Sequence, residues 1–250
     1  MAGACSESAS KKSSMKKIIL LLLFCTVNLN AELLGPKVNG MLLYLGFNEG
    51  SGTYTRDSSP YTSTHTVTLS GTGWSTGRNG SCMGFDGATS NVLVPHNNSA
   101  LVTASASFGC WVYCTSFVNN PFVFDKKYTD NGVYMELISN GAIEVGFNSA
   151  ASRINTAAGA LVVNRWYHLV FTVYAPTGEI KLYRNGILIA QKSGGTTNCA
   201  TSLNNFNIGN YFNVNGALTG RIDDFFIYNG VLTASQIWTG YTHGRSSNVR

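Results

Sequence analysis

The sharpest chemical feature of the sequence is a pair of adjacent carboxylates, Asp223-Asp224, inside the apolar run GRIDDFFIY. Consecutive strand residues point to opposite faces. Asp223 is then expected beside Phe225 and Ile227, and Asp224 beside Ile222, Phe226 and Tyr228. Both faces are apolar, so at least one carboxylate should be desolvated and should need a cation or several N–H donors. Other reactive groups are dispersed. His65, His96, His168 and His243 never fall in a metal-ligand spacing such as H-x3-H. His168, in WYHLVF, reads as a strand residue with one satisfied hydrogen bond. Glu136 (VYMELI) and Glu144 (AIEVGF) each stand alone. The Asn140-Gly141 turn between them could bring them together across a hairpin, but both are expected to face solvent. No Gly-x-Ser-x-Gly elbow and no phosphate loop occurs, which leaves catalysis as the minor reading.

Six cysteines occur in the chain, of which Cys82, Cys110, Cys114 and Cys199 lie beyond residue 31. Four cysteines allow three pairings. Cys110 and Cys114 sit four strand steps apart, about 13 Å, where a disulfide needs Cα atoms within about 7 Å. They share a face and are not expected to join each other; buried free thiols are the alternative to disulfides.

These groups are carried by a β-rich chain. Of its 250 residues 44% are hydrophobic, 12% aromatic and 12% charged, with 27 Gly and only 5 Pro. That excludes a coiled coil or helical bundle and argues against disorder. Strands are expected at 41–47, 65–70, 82–86, 91–95, 106–115, 121–126, 132–138, 142–148, 166–174, 179–184, 187–192, 205–209 and 220–228. Asn140-Gly141 and Asn185-Gly186 between apolar runs are hairpin signals, and Ala175-Pro-Thr-Gly is a further tight turn. Several strands are apolar on both parities, as expected of strands covered on both sides in a sandwich. Trp111, Trp166 and Phe171 are therefore expected in the inter-sheet core. The one helical candidate is 231–238 (VLTASQIW), with Thr233 as N-cap and Gln236 at capping-box spacing.

The first 31 residues read as an N-terminal extension and secretory signal: Lys16-Lys17, then IILLLLFC, then Ala31. The apolar run is too short to span a membrane, which takes about 20 residues, so no stable span is expected and the product should be secreted or on the cell surface. The chain has 17 Lys+Arg and 12 Asp+Glu. Without the leader's four lysines and one glutamate, 13 and 11 remain, a net +2 that offers no basis for nucleic-acid binding. Asn79-Gly-Ser and Asn97-Asn-Ser match the glycosylation pattern.

In order, LLYLGFNEGSGTYTRDSS, CMGFDGATSNVLVP, SFGCWVY, NRWYHLVFTVYAPTGEIKLYRNGILIA, FNIGN and GRIDDFFIYNGVLTASQI resemble the laminin-G-like jelly-roll domains of the concanavalin-A-like lectin/glucanase superfamily. The resemblance covers 41–241, leaving 32–40 as a linker and 242–250 as a tail. It implies an all-β, antiparallel two-sheet jelly-roll sandwich. It also implies a non-catalytic carbohydrate-binding or adhesive module whose partner is a glycan or extracellular surface component. A structural or protein-binding surface protein without a sugar site is the alternative, and a glycan-cleaving enzyme is the third reading. The Glu-x-Asp-x-Glu strand motif of the superfamily's glucanases is absent. The family's structural calcium site would map to Asn48, Glu49 and Asp57 in the first loop with Asp223; without metal, the Asp pair would instead accept backbone N–H groups from that loop. For a sugar site, which needs an aromatic face and hydrogen-bonding groups, the candidates are Tyr128, Tyr211 and Phe212, in the loops 116–122, 125–131 and 210–216.

Overall fold

The computed structural model describes residues 39–60, 65–96, 105–128, 131–147, 149–195, 204–211 and 216–243. The expected leader 1–31, most of the linker, Cys199, the Asn97 sequence, Phe212 and the tail beyond His243 lie outside the described residues. Among the described residues fifteen strands form two antiparallel sheets. They are β1 (Met41–Leu45), β2 (Thr68–Ser70), β3 (Gly73–Thr76), β4 (Ser81–Asp86), β5 (Asn91–Val94), β6 (Ser105–Ser116), β7 (Phe122–Tyr128) and β8 (Asn131–Leu137). There follow β9 (Ile143–Phe147), β10 (Ser149–Asn155), β11 (Trp166–Tyr174), β12 (Glu179–Arg184), β13 (Ile187–Lys192), β14 (Phe206–Ile208) and β15 (Thr219–Asn229). One sheet runs β13-β12-β11-β6-β15-β4-β3, with β1 also on β15; the other runs β10-β9-β8-β7-β14-β5-β2. This is the expected two-sheet jelly-roll sandwich. β3 and β10 were not anticipated: both are short or polar, and their pairing comes from neighbours rather than from their own pattern.

Alternation decides what fills the sandwich. Phe108, Cys110, Val112 and Cys114 of β6 point inward, as do Leu169, Phe171 and Val173 of β11. Phe108, Phe124, Phe171, Phe206 and Phe225 interlock there, with centroids 5.4 Å apart for Phe108–Phe124 and 5.7 Å for Phe206–Phe225. Such pairs add to the burial of large apolar area. Phe171 is thus in the core as expected, but Trp111 and Trp166 are not. Their parity puts them on the outer face of the β6/β11 sheet. The cysteines Cys82, Cys110 and Cys114 are buried free thiols. Burial holds them protonated, Cys82 up to about 12 and Cys114 up to about 11.

The Asn185-Gly186 hairpin is a two-residue turn with both φ positive, 53° and 80°, the geometry for which Asn-Gly is suited. The helical candidate is α1 (Ala234–His243), ten residues and longer than the single short turn expected. Its capping box forms as read: Thr233 N–H donates to Gln236 Oε1 at 2.7 Å and Gln236 N–H to Thr233 Oγ1 at 3.2 Å. Ile237 seats the helix on the outer face of the larger sheet, against Val170, Tyr183 and Phe226. Among the described residues no helix is long and apolar enough to cross a membrane.

Candidate functional site

The Asp223-Asp224 pair sits where β15 changes partners. One edge of β15 follows β6 throughout. The other pairs with β4 through Ile222 and with β1 from Phe225 onward. Between the two lies a bulge, with Asp224 at φ 49°. The bulge overturns the simple alternation: Ile222, Phe225 and Ile227 share the inter-sheet core, and Asp223 lies on the outer face with Phe226. An extra residue in one strand shifts the parity of everything beyond it.

The freed edge is filled by the 77–80 turn between β3 and β4. Asp223 Oδ2 accepts the N–H groups of Arg78 at 2.8 Å and Asn79 at 2.9 Å. Asp224 accepts from Asn79 Nδ2 and from the Tyr44 hydroxyl, both at 2.8 Å. Asp223 therefore caps backbone donors, but those of the 77–80 turn rather than the first loop, while Asp224 takes two side-chain donors. Gly77 is required here, since a Cβ would stand 2.5 Å from Asp223 Oδ2 and 2.7 Å from Ser81 O. Asn79's amide is committed inward, which sets it against use as a glycan attachment point. Asp223 is fully buried, and its Oδ1 has no hydrogen-bond partner among the described residues. Burial, then the Asp224 charge, pushes Asp223 up to about 7. Asp224 and Tyr44 are also raised, each chiefly by burial.

The first loop has its own carboxylates. Asp57 Oδ1 accepts from Tyr44 N–H at 3.1 Å and Ser59 N–H at 2.9 Å, and Oδ2 lies 2.6 Å from His65 Nδ1. Burial alone would raise Asp57, but the His65 and backbone hydrogen bonds outweigh it and the net shift is downward. Glu49 caps Arg56 N–H at 2.8 Å and meets Thr55 Oγ1. Among the described residues no three His, Cys, Asp or Glu side chains group as metal ligands. The four positions expected for calcium thus divide. Asp57 and Glu49 are committed to building the loop, and only Asp223 presents an uncommitted buried carboxylate oxygen.

Two aromatic faces flank this framework. On the outer face of the smaller sheet, Tyr211 stacks on Phe122 at 4.9 Å, and Phe122 lies 6.1 Å from Tyr134. Tyr134 donates to Glu144 Oε1 at 2.7 Å; Arg153 Nε is 3.4 Å from the same carboxylate, and Asn155 reaches its other oxygen. The β8–β9 register sets Glu136 directly opposite Glu144, so the hairpin does bring the two together, and Glu144 turns to partners instead of standing in solvent. Tyr128 is the last residue of β7.

The larger sheet's outer face is built in cross-strand rows. Arg221, Tyr113 and Trp166 form one row across β15, β6 and β11; Asp223, Trp111 and His168 form the next. Trp111 lies 5.1 Å from His168 and 5.6 Å from Tyr241 of α1, with the Arg78 guanidinium 5.0 Å over its ring. Arg78, Trp111, Trp166, Asn185 and Tyr241 line a cavity of about 180 Å³. This cluster escaped sequence reasoning because β6 and β11 are apolar on both parities. Trp111 belonging to the parity opposite Phe108 was the available signal.

Comparison with known proteins agrees with the fold. No curated protein matches the chain. Among solved structures, the receptor-binding domain of a botulinum neurotoxin C/D mosaic serotype is similar, at TM-score 0.63 and 18% identity, covering 82% of this chain and 51% of that one. The binding domain of botulinum neurotoxin DC in complex with SialylT gives 0.64, 18%, 84% and 53%. The same domain with rat synaptotagmin II gives 0.64, 18%, 82% and 52%. This chain spans about half the length of those structures, and at such identities the likeness is one of fold. A laminin-G-type family model matches residues 86–238, well over half the sequence. The chain belongs to the concanavalin A-like lectin/glucanases superfamily.

Proposed function

We propose that this protein is an exported, non-catalytic, lectin-like module that binds a glycan or another extracellular surface component through the outer face of its smaller sheet. The observation that carries the reading is the row Tyr211–Phe122–Tyr134 ending on Glu144, Arg153 and Asn155. Phe122 and Tyr134 are themselves buried, at 8% and 4% exposure, so the half-buried Tyr211 is the aromatic face a sugar would meet, beside the carboxylate, amide and guanidinium groups that sugar recognition uses. Tyr128 and Phe212 remain the other aromatic candidates from the sequence. The botulinum neurotoxin binding domains of similar fold are seen in complex with SialylT and with rat synaptotagmin II, which supports binding over catalysis as the role. Secretion is supported by the leader-like sequence alone.

The test is a glycan array with the wild type and Tyr211→Ala, run beside an assay for reducing ends released from polysaccharides. Binding that Tyr211→Ala weakens, with no release, is expected. Release that disappears in Glu144→Gln would move the protein to the enzyme class; no glycan bound and no release would favour the protein-binding alternative. A calcium ion at Asp223 is a separate proposal, supported by the uncommitted buried oxygen and opposed by the local engagement of Asp57 and Glu49. Asn48 is the remaining oxygen donor of the expected set.

A further inference from the structure

We infer a second ligand site on the opposite face of the sandwich: the Arg78/Trp111/Trp166/Asn185/Tyr241 cleft binds a carboxylate-bearing sugar ring. The argument starts from what lines the cleft. Its floor is Trp111 of β6 and Trp166 of β11, so its geometry is held by two paired strands and not by loops alone. Its walls are the Asn185-Gly186 hairpin, the end of α1 and the 77–80 turn. The hairpin and the helix touch closely: a Cβ on Gly186 would stand 2.7 Å from the Trp238 ring.

The polar groups are one-sided. Asn185 Oδ1 is already taken by the His168 N–H at 2.9 Å, which leaves its amide nitrogen as donor. The guanidinium of Arg78 brings only donors, and among the described residues no carboxylate pairs with it. Tyr241 contributes a hydroxyl. Among the described residues no acidic side chain lines the cleft; Asp223, opposite Trp111, turns its Oδ2 to the Arg78 and Asn79 N–H groups. A cavity offering a guanidinium and an amide donor with no acid calls for a ligand that is acceptor-rich and negative. The planar fork of arginine matches a carboxylate with two parallel hydrogen bonds.

The aromatic groups specify the rest of the ligand. Trp166 and Tyr241 are partly exposed, and Trp166 is braced at 5.5 Å by Tyr113. Tyr241 leads outward to Trp238, 5.7 Å away and 49% exposed. A cleft of about 180 Å³ is below the range of about 300–1,000 Å³ for drug-sized ligands and suits a single ring. The exposed Trp238 beyond it provides a platform for the next unit of a chain. Arg78 owes its position to Asp223, which holds the backbone of residues 78 and 79. The buried carboxylate thereby acts as a positioning residue for the cleft.

The experiment is titration calorimetry with trigalacturonate, its carboxyl-reduced counterpart and a sulfated galactose trisaccharide. The proteins are wild type, Arg78→Gln, Arg78→Lys, Trp166→Ala and Tyr211→Ala, each first shown to melt cooperatively. Wild type should bind trigalacturonate at least tenfold more tightly than either analogue. Arg78→Gln should erase that preference, Arg78→Lys should restore it only in part, Trp166→Ala should lose binding to all three, and Tyr211→Ala should leave it intact. Equal binding of the carboxyl-reduced or sulfated analogue, or loss in Tyr211→Ala with Trp166→Ala unaffected, overturns the inference. So does absence of binding to trigalacturonate. Because the two sites lie on opposite sheets, failure here leaves the reading of the Tyr211 face to its own test.

Discussion

Asp57 and Asp223 are both buried aspartates that fasten a loop to the strands by accepting backbone N–H groups, those of Tyr44, Ser59 and His65 for Asp57 and those of Arg78 and Asn79 for Asp223, yet their proton affinities move in opposite directions. Asp57 has a histidine ring nitrogen 2.6 Å from its second oxygen and is shifted down. Asp223 is desolvated, has another carboxylate for a neighbour and one oxygen with no hydrogen-bond partner among the described residues, and is shifted up to about 7. Two N–H groups alone do not compensate burial of a charge; the group at the second oxygen decides. Asp57 is a completed anion site. Asp223 is an incomplete one, open to a proton or a cation.

The largest way to break this contrast is Asp57→Ala. It should cost about 3 kcal/mol or more in a denaturant melt, because it strands His65 and the Tyr44 and Ser59 N–H groups in the interior. A loss under 1 kcal/mol would show that the His65 pair contributes little.

Calcium sharpens the other side. If Asp223 takes a Ca²⁺, wild type should melt several degrees higher in calcium than in EDTA, since ligand at one hundred times Kd adds about 2.7 kcal/mol. The shift should vanish in Asp223→Ala. Identical melts in calcium and EDTA, with no metal in the isolated protein, would leave the proton as the occupant of that oxygen.

The pH profile should separate the two aspartates without any mutation. Asp57, with its folded pKa below the unfolded value near 4, contributes stability at higher pH that is lost as pH falls through its folded value. Asp223 does the reverse: its contribution is complete below about 4 and is lost as pH rises through about 7. Melts in EDTA from pH 3 to pH 8.5 should therefore show stability falling at both ends. A flat limb between pH 5 and 8 would contradict the raised Asp223.

The smallest effect is expected from Asp223→Asn, which keeps an acceptor oxygen for Arg78 and Asn79 but removes the repulsion with Asp224. Below about pH 4, where Asp223 is protonated, it should change stability by less than about 1 kcal/mol; at pH 8 it should be the more stable protein, with a flatter alkaline limb than wild type. A loss equal to that of Asp223→Ala would mean that the charge, not the acceptor, holds the 77–80 turn.

Much of this molecule could be read from residue order. The hairpin at Asn185-Gly186 and the Thr233/Gln236 capping box are local rules obeyed locally, and the strands with long apolar runs appeared within a few residues of their ends. The failures are non-local. The bulge at Asp224 exists because β4 and β1 share one edge of β15, and no window of sequence around 223 contains either partner. Trp111 looked like core because its neighbours on both parities are apolar, and only the presence of α1 and the 77–80 turn explains why the outer parity is apolar too. Asp57 was placed in the right loop, but His65, the partner that commits it, lies eight residues on and carries no spacing signal. Tyr211 could be chosen for being aromatic; that it stacks on Phe122 required the β7 register.

The pairing of β1 with the far end of β15 also has a consequence in time. Tyr44 meets Asp224 across 180 residues, so the first strand made waits for the last. At translation rates of about 5–20 residues per second, MLLYL stays without its mate for on the order of ten seconds or more. Closing such a distant contact slows folding. During that interval an apolar segment stands open to chaperones or to another nascent chain, and the closing of β1 onto β15 is the step at which that exposure ends.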